Sequence, residues 1–154
     1  GHSRVKGNNG WEVNTAPTPG TGDIIPNFRS YTAEPTIEIE AGYYESTQMV
    51  SITNNEPNSV LRYSIDGWAP RENSPVYTGP IEIEDTQVLK VRSFSNDPNV
   101  LPGKIAFKTI FINEDFTVPV ISIAADSVQM LANGDGEIRP IGSIEYFNLD
   151  KELS

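Results

Sequence analysis

Between Pro35 and Ile112, apolar and polar residues alternate in short runs. In Pro35-Thr36-Ile37-Glu38-Ile39-Glu40 the two isoleucines share one face, and Thr36, Glu38 and Glu40 share the other. That is the pattern of a half-buried strand. Ala41-Gly42-Tyr43-Tyr44 reads as the turn that follows. Met49 to Asn54 repeats the alternation with Val50 and Ile52 facing in, and Asn54 to Ser59 is a loop by composition. In Val60-Leu61-Arg62-Tyr63-Ser64-Ile65, the residues Leu61, Tyr63 and Ile65 fall on one face. Asp66-Gly67 marks a tight turn, because Gly accepts positive φ without steric cost. Trp68 to Ser74 is a loop stiffened by Pro70, Val76-Tyr77 is a short extended piece, and Ile81-Glu82-Ile83-Glu84 alternates again after Gly79-Pro80.

In Thr86 to Phe94, Leu89, Val91 and Ser93 lie on one face; Val88, Lys90, Arg92 and Phe94 lie on the other. Val88 and Phe94 on the charged face predict a strand whose second face is partly covered. Ser95 to Lys104 is a polar loop, and Ile105 to Ile112 is the longest run of β-formers. About seven short strands with turn signals between them predict an antiparallel sandwich over residues 32–113.

The flanks differ. Residues 1–31 are rich in Gly, Pro, Asn and Thr, the composition of a linker or the end of a preceding domain, with Trp11 as a stray hydrophobic anchor. Gly1-His2-Ser3 reads as an added start, and the chain as a piece of a larger protein. Residues 114–154 form a C-terminal extension or the start of another domain. Val118-Pro119-Val120-Ile121-Ser122-Ile123-Ala124 reads as a buried strand, and Asp126 to Ala132 as one short helix with Asp126 as its cap. Asn133-Gly134-Asp135-Gly136 is a turn, and Ile141 to Asn148 another strand.

Composition narrows the function classes. The net charge is −10, with 21 acidic against 11 basic residues, so no basic stripe for nucleic acid is present and anionic membrane surfaces are disfavoured. Cysteine is absent, which removes disulfides, Cys-ligated zinc and a Cys nucleophile. No apolar run reaches membrane-spanning length. The one histidine, His2, sits in the added start, so a Ser-His-Asp triad is excluded. Asn133-Gly134-Asp135-Gly136-Glu137 lacks the spacing of a calcium loop and is expected to be a plain turn. Glu38, Glu40, Glu82 and Glu84 fall on solvent-facing strand positions rather than as a catalytic carboxylate pair. The reading holds no catalytic residue, no metal site and no cofactor.

Four stretches together carry a resemblance: Gly42-Tyr43-Tyr44, Leu61 to Pro70, Ser74-Pro75-Val76-Tyr77-Thr78-Gly79-Pro80-Ile81 and Val88-Leu89-Lys90-Val91-Arg92. They resemble the Ig-like repeat found at the C-termini of chitobiases and β-hexosaminidases and in multidomain exported bacterial proteins. Trp68 departs from that pattern, which has Ser there. Gly10 to Gly22 resembles the end of a lamin-tail-type β domain. Phe111 to Asp115 with Val118 to Ile123 resembles the entry into a CotH-like domain, and Arg139 to Asn148 a later part of it. The resemblance implies an all-β, Ig-like antiparallel sandwich in an exported bacterial protein (periplasmic, cell-surface or secreted), serving as a non-catalytic accessory or spacer module. Its partners would be neighbouring domains of the same chain, with a carbohydrate or cell-envelope protein as the alternative. The alternative function is a carbohydrate-binding module, for which Trp68, Tyr77, Tyr43 and Tyr44 are the candidate contact residues.

Overall fold

In the computed structural model, residues 3–7, 10–14, 28–134 and 142–154 are described. In chain order the elements are β1 (Ser3–Gly7), β2 (Gly10–Asn14), β3 (Ser30–Tyr31), β4 (Thr36–Ile37), β5 (Gly42–Tyr44), β6 (Gln48–Val50), β7 (Ile52–Thr53) and β8 (Ser59–Ser64). They continue with β9 (Ile81–Ile83), β10 (Gln87–Ser95), β11 (Val100–Leu101), β12 (Ala106–Ile112), β13 (Val120–Ala125), the helix α1 (Val128–Ala132) and β14 (Gly142–Phe147).

One layer is a four-stranded sheet in the order β5-β12-β10-β8. β10 runs antiparallel to both neighbours, with Leu89 opposite Lys108 and Val91 opposite Tyr63. The edge strand β5 runs parallel to β12. The facing layer is built from β4 paired with β7 and β6 paired with β9. β6 and β7 are consecutive pieces of one strand, so together these pairs make a second small sheet. The chain therefore leaves the second layer after β4 and joins the first at β5, the strand exchange of an Ig-like sandwich. The all-β, Ig-like expectation holds.

Between the layers lies one core that includes Ile37, Val50, Ile52, Leu61, Ile83, Leu89, Val91 and Ile110, with Tyr44, Tyr63 and Tyr77 packed at its margin. Each large aliphatic side chain so buried contributes about 1.5–3 kcal/mol. The inward positions are those the alternation assigns for Ile37, Val50, Ile52, Ile81, Ile83, Leu89, Val91 and Ser93. Glu38, Glu40, Glu82 and Glu84 face solvent.

Several local expectations are corrected. Ala41 to Tyr44 is a turn only at its start: the chain bends at Glu38, Ile39 and Ala41, and Gly42–Tyr44 is the edge strand β5. Ile65 is exposed, because β8 ends at Ser64 and the alternation stops with it. The polar loop after β10 contains β11, which pairs parallel with β3 and brings residues before Thr32 onto the sandwich. That contact is tight. The Gly103 N–H donates to Thr32 Oγ1 at 2.7 Å, and a Cβ on Gly103 would stand 2.0 Å from the Thr32 carbonyl oxygen. Only Gly fits there. At the N-terminus, β1 and β2 pair antiparallel with Ser3 opposite Asn14. The alternation that carries them, Arg4-Val5-Lys6 and Trp11-Glu12-Val13, is too short to stand out from the Gly and Pro that follow.

The tail pairs with itself. β13 and β14 form an antiparallel two-stranded sheet with Ile121 opposite Tyr146 and Ile123 opposite Ile144. The expectation of a buried strand here is corrected. Ile121 and Ile123 are 59% and 56% exposed, while Ala124 and Ala125 are buried. A strand in a two-stranded sheet has one face on the protein and one on solvent, and the apolar run does not say which. The helix α1 is present, but Asp126 does not serve as its cap; its carboxylate turns to the loop after β8. The faint calcium-loop sequence at Asp135 to Glu137 lies outside the described residues, as does Arg139-Pro140. Among the described residues no helix is long and apolar enough to cross a membrane.

Candidate functional site

The stretch from Ser64 to Ser74 and the tail meet on the outer face of the four-stranded sheet. The turn is built first. Asp66 Oδ1 accepts the Trp68 N–H at 3.1 Å, the short-range bond that Asp makes at turns. Gly67 takes φ +84°, and Ser64 Oγ donates to the Trp68 carbonyl at 2.5 Å. The loop is closed further on by the Arg62 guanidinium, whose Nη1 donates to the Ser74 carbonyl at 2.6 Å.

The tail then clamps this turn. Lys90, on the outer face of β10, is only 2% exposed. Its Nζ donates to the Gly67 carbonyl and to the Ala124 carbonyl of β13, both at 2.7 Å. One ammonium thus joins sheet, turn and tail. Burial pushes the Lys90 pKa down, opposed by the negative charges of Asp126 and Asp66. Asp126 accepts the Ala69 N–H at 2.9 Å and pairs with Arg71 at 2.7 Å. Burial pushes its carboxyl up, but the Ala69 N–H and the Arg71 guanidinium outweigh this and hold it below the usual range. The Gly67 position is close to the tail as well, since a Cβ there would meet Ala124 Cβ at 3.6 Å.

A second attachment lies toward β5. Glu145 of β14, itself buried, accepts the Thr109 N–H of β12 at 2.7 Å, and Thr109 Oγ1 donates to Ser122 Oγ at 2.7 Å. Beside it Phe147, 0% exposed, meets Phe111 edge-on at 5.0 Å and Tyr43 at 5.9 Å. Tyr43 stacks on Phe111 at 4.4 Å, and Lys151 Nζ lies 5.3 Å from the Tyr43 ring centre. Burial raises the Tyr43 pKa; Lys151 acts against the rise and Glu114 with it.

The four aromatic residues singled out in the sequence occupy different places. Trp68 is 47% exposed, with the Arg71 guanidinium 5.4 Å from its ring. It lines a hollow of about 340 Å³ together with Tyr63, Ile65, Asp66 and Arg71. Tyr77 is a cross-tie: its hydroxyl accepts the Ile52 N–H at 3.0 Å and its own N–H donates to the Leu61 carbonyl at 2.9 Å. The Tyr44 hydroxyl donates to the Glu40 carbonyl at 2.7 Å, and its ring packs on the core. Tyr43 belongs to the aromatic cluster under the tail. β5 and β8 are opposite edges of the sheet, so Tyr43 and Tyr44 stand about 14 Å or more from the turn carrying Trp68. They and Trp68 therefore form no common platform. The residues that organise this face are instead Lys90, Asp126 and Glu145. The sequence signal for the first was the pair Val88 and Phe94 flanking it on a charged face; for the other two there was none. Among the described residues no group of three or more acidic or histidine side chains is placed to hold a metal ion.

Residues 39–100 match the family model described as "Chitobiase/beta-hexosaminidase C-terminal domain". The match takes in β5 to β10 and ends before β12 and the tail. A 48-residue segment is 42% identical to an endoglucanase of Clostridium saccharobutylicum; it represents 31% of this chain and 11% of that protein. No solved structure matches.

Proposed function

We propose that this chain is a non-catalytic accessory and spacer module of an exported, cell-envelope-associated bacterial protein, which holds neighbouring domains of the same chain in position and offers protein contacts. One observation carries the reading: the tail hairpin is docked on the outer face of the sandwich. It is held by Lys90 to Ala124, Asp126 to Ala69 and Arg71, and Glu145 to Thr109. A module that fixes the orientation of what it is joined to needs such a junction, because a free strand would swing. The hairpin's outer face supports the contact role, since Ile121, Ile123, Ile144 and Tyr146 form an exposed apolar row there. The family-model match and the endoglucanase similarity support an accessory role beside a glycoside-processing enzyme.

Ending the chain after Asn113 tests the reading. Removal of the tail uncovers Lys90, Thr109 and Phe111, and chemical denaturation is expected to show a loss of several kcal/mol. Unchanged stability would overturn the docking on which the reading rests.

Trp68 favours a second reading, carbohydrate binding, because a large exposed indole beside a guanidinium offers a flat face and a donor. Titration with a panel of neutral oligosaccharides is then expected to change Trp fluorescence, with loss in Trp68→Ala. A silent panel would end that reading.

A further inference from the structure

A cleft of about 630 Å³ opens beside the docked tail, with Asp126, Gly142 and Ser143 in its lining. Its floor is the outer face of β10 and β12. Lys90 and Arg92 are two residues apart on β10 and so project from the same face about 7 Å apart. Phe107 is the direct cross-strand partner of Lys90. Lys104 lies on the wall, next to Gly103, whose carbonyl accepts the Arg92 Nε–H at 2.8 Å.

The donors of this cleft are incompletely used. Lys90 Nζ is held by the Gly67 and Ala124 carbonyls and is 2% exposed, so it adds positive charge beneath the floor and no donor to the cleft. Arg92 uses Nε and Nη2 on the Gly103 and Pro102 carbonyls, which leaves its Nη1 edge. The Lys104 ammonium meets no acceptor among the described residues. Among the described residues two carboxylates share the cleft. Asp126 is paired with Arg71, and Glu34 is exposed. The cleft is thus a cationic spot on a protein of net charge −10. Screening confines the repulsion of the remaining surface to roughly 8–10 Å, so these near cations decide which ion settles here. Beside them Phe107 supplies a flat apolar wall, and the volume lies within the usual span for small-molecule sites, about 300–1,000 Å³.

We propose that this cleft binds a carboxylate carried on a six-membered ring, with the carboxylate between Lys104 and Arg92 and the ring against Phe107. That chemistry is shared by a uronic acid and an aromatic acid. The site is separate from Trp68 and adds a ligand to the module without replacing its positioning role.

The test uses the whole chain, with sodium glucuronate and sodium benzoate as probes and glucose as the neutral control, followed by NMR. Either carboxylate is expected to give saturable shifts at Phe107 and Lys104, and which one does so identifies the source. Lys104→Glu is expected to weaken binding about tenfold or more, the loss of one charge-assisted hydrogen bond plus added repulsion. Lys104→Arg retains it, and so does Trp68→Ala. Lys104 meets no acceptor among the described residues, and the amide spectrum of each variant checks that it folds. No saturable shift with either carboxylate, equal binding of glucose, or unaltered affinity in Lys104→Glu would overturn the proposal.

Discussion

Lys90 sits in the middle of a strand with its charge withdrawn from water, bonded to two carbonyls from separate segments. An ammonium in that position is costly unless its donors are met, and the carbonyls are costly unless they are met in turn. Lys90→Ala leaves the Gly67 and Ala124 oxygens buried without a partner and is expected to cost about 1–3 kcal/mol for each that water cannot reach. Thermal denaturation reads this, and a variant as stable as the parent would remove the ammonium from the account. Asp126 adds a pH dependence. Its folded pKa lies below the unfolded value of about 3.9, so its contribution is complete above that value and is lost as pH falls through the folded pKa. The stability difference between the parent and Asp126→Asn is therefore expected to be present at about pH 6 and to shrink toward about pH 3. Denaturant titrations at the two pH values check it, and a difference independent of pH would contradict it. These roles were only half legible. Alternation placed Lys90 on the second face of β10, and its flanking Val88 and Phe94 implied a cover. Nothing local to Asp126 points to Ala69 and Arg71, more than fifty positions away in sequence.

The tail hairpin is the element on which the account turns. Phe147 fills the space between Phe111 and Tyr43, so Phe147→Ala opens a cavity and is expected to cost about 3–5 kcal/mol. Leu149→Ala, two residues on and exposed, is expected to change stability by less than about 0.5 kcal/mol. Equal effects from the two would mean that the aromatic cluster is not a packed core. Periodicity located both hairpin strands within a residue or two and left their facing open. Val120 to Ala125 holds Ile121, Ile123 and Ala125 on one side and Val120, Ser122 and Ala124 on the other, and a period of two does not say which side meets the sheet. The same limit explains Gly42 to Tyr44. A three-residue edge strand is shorter than any alternation that could reveal it, and its pairing with β12 is set by a partner far along the chain.

At the scale of the molecule, the sandwich was readable because its core needs a repeated apolar position in every strand, and that repetition survives in the sequence. Its attachments were not, because each joins residues that share no local pattern: Thr32 with Gly103, Thr109 with Glu145, Lys90 with Ala124. The family-model match covers much of the patterned part, β5 to β10, and stops short of β12 and the tail. The central claim is that the tail is an integral layer of the module. Native-state hydrogen exchange on the whole chain tests it most directly. If the tail is docked, the amides of Ile123 and Ala125 in β13 and of Tyr146 in β14 exchange with protection close to that of Leu89 and Val91 in β10, as members of one cooperative unit. Fast exchange throughout β13 and β14, with β10 still protected, would show the tail detached and contradict the account.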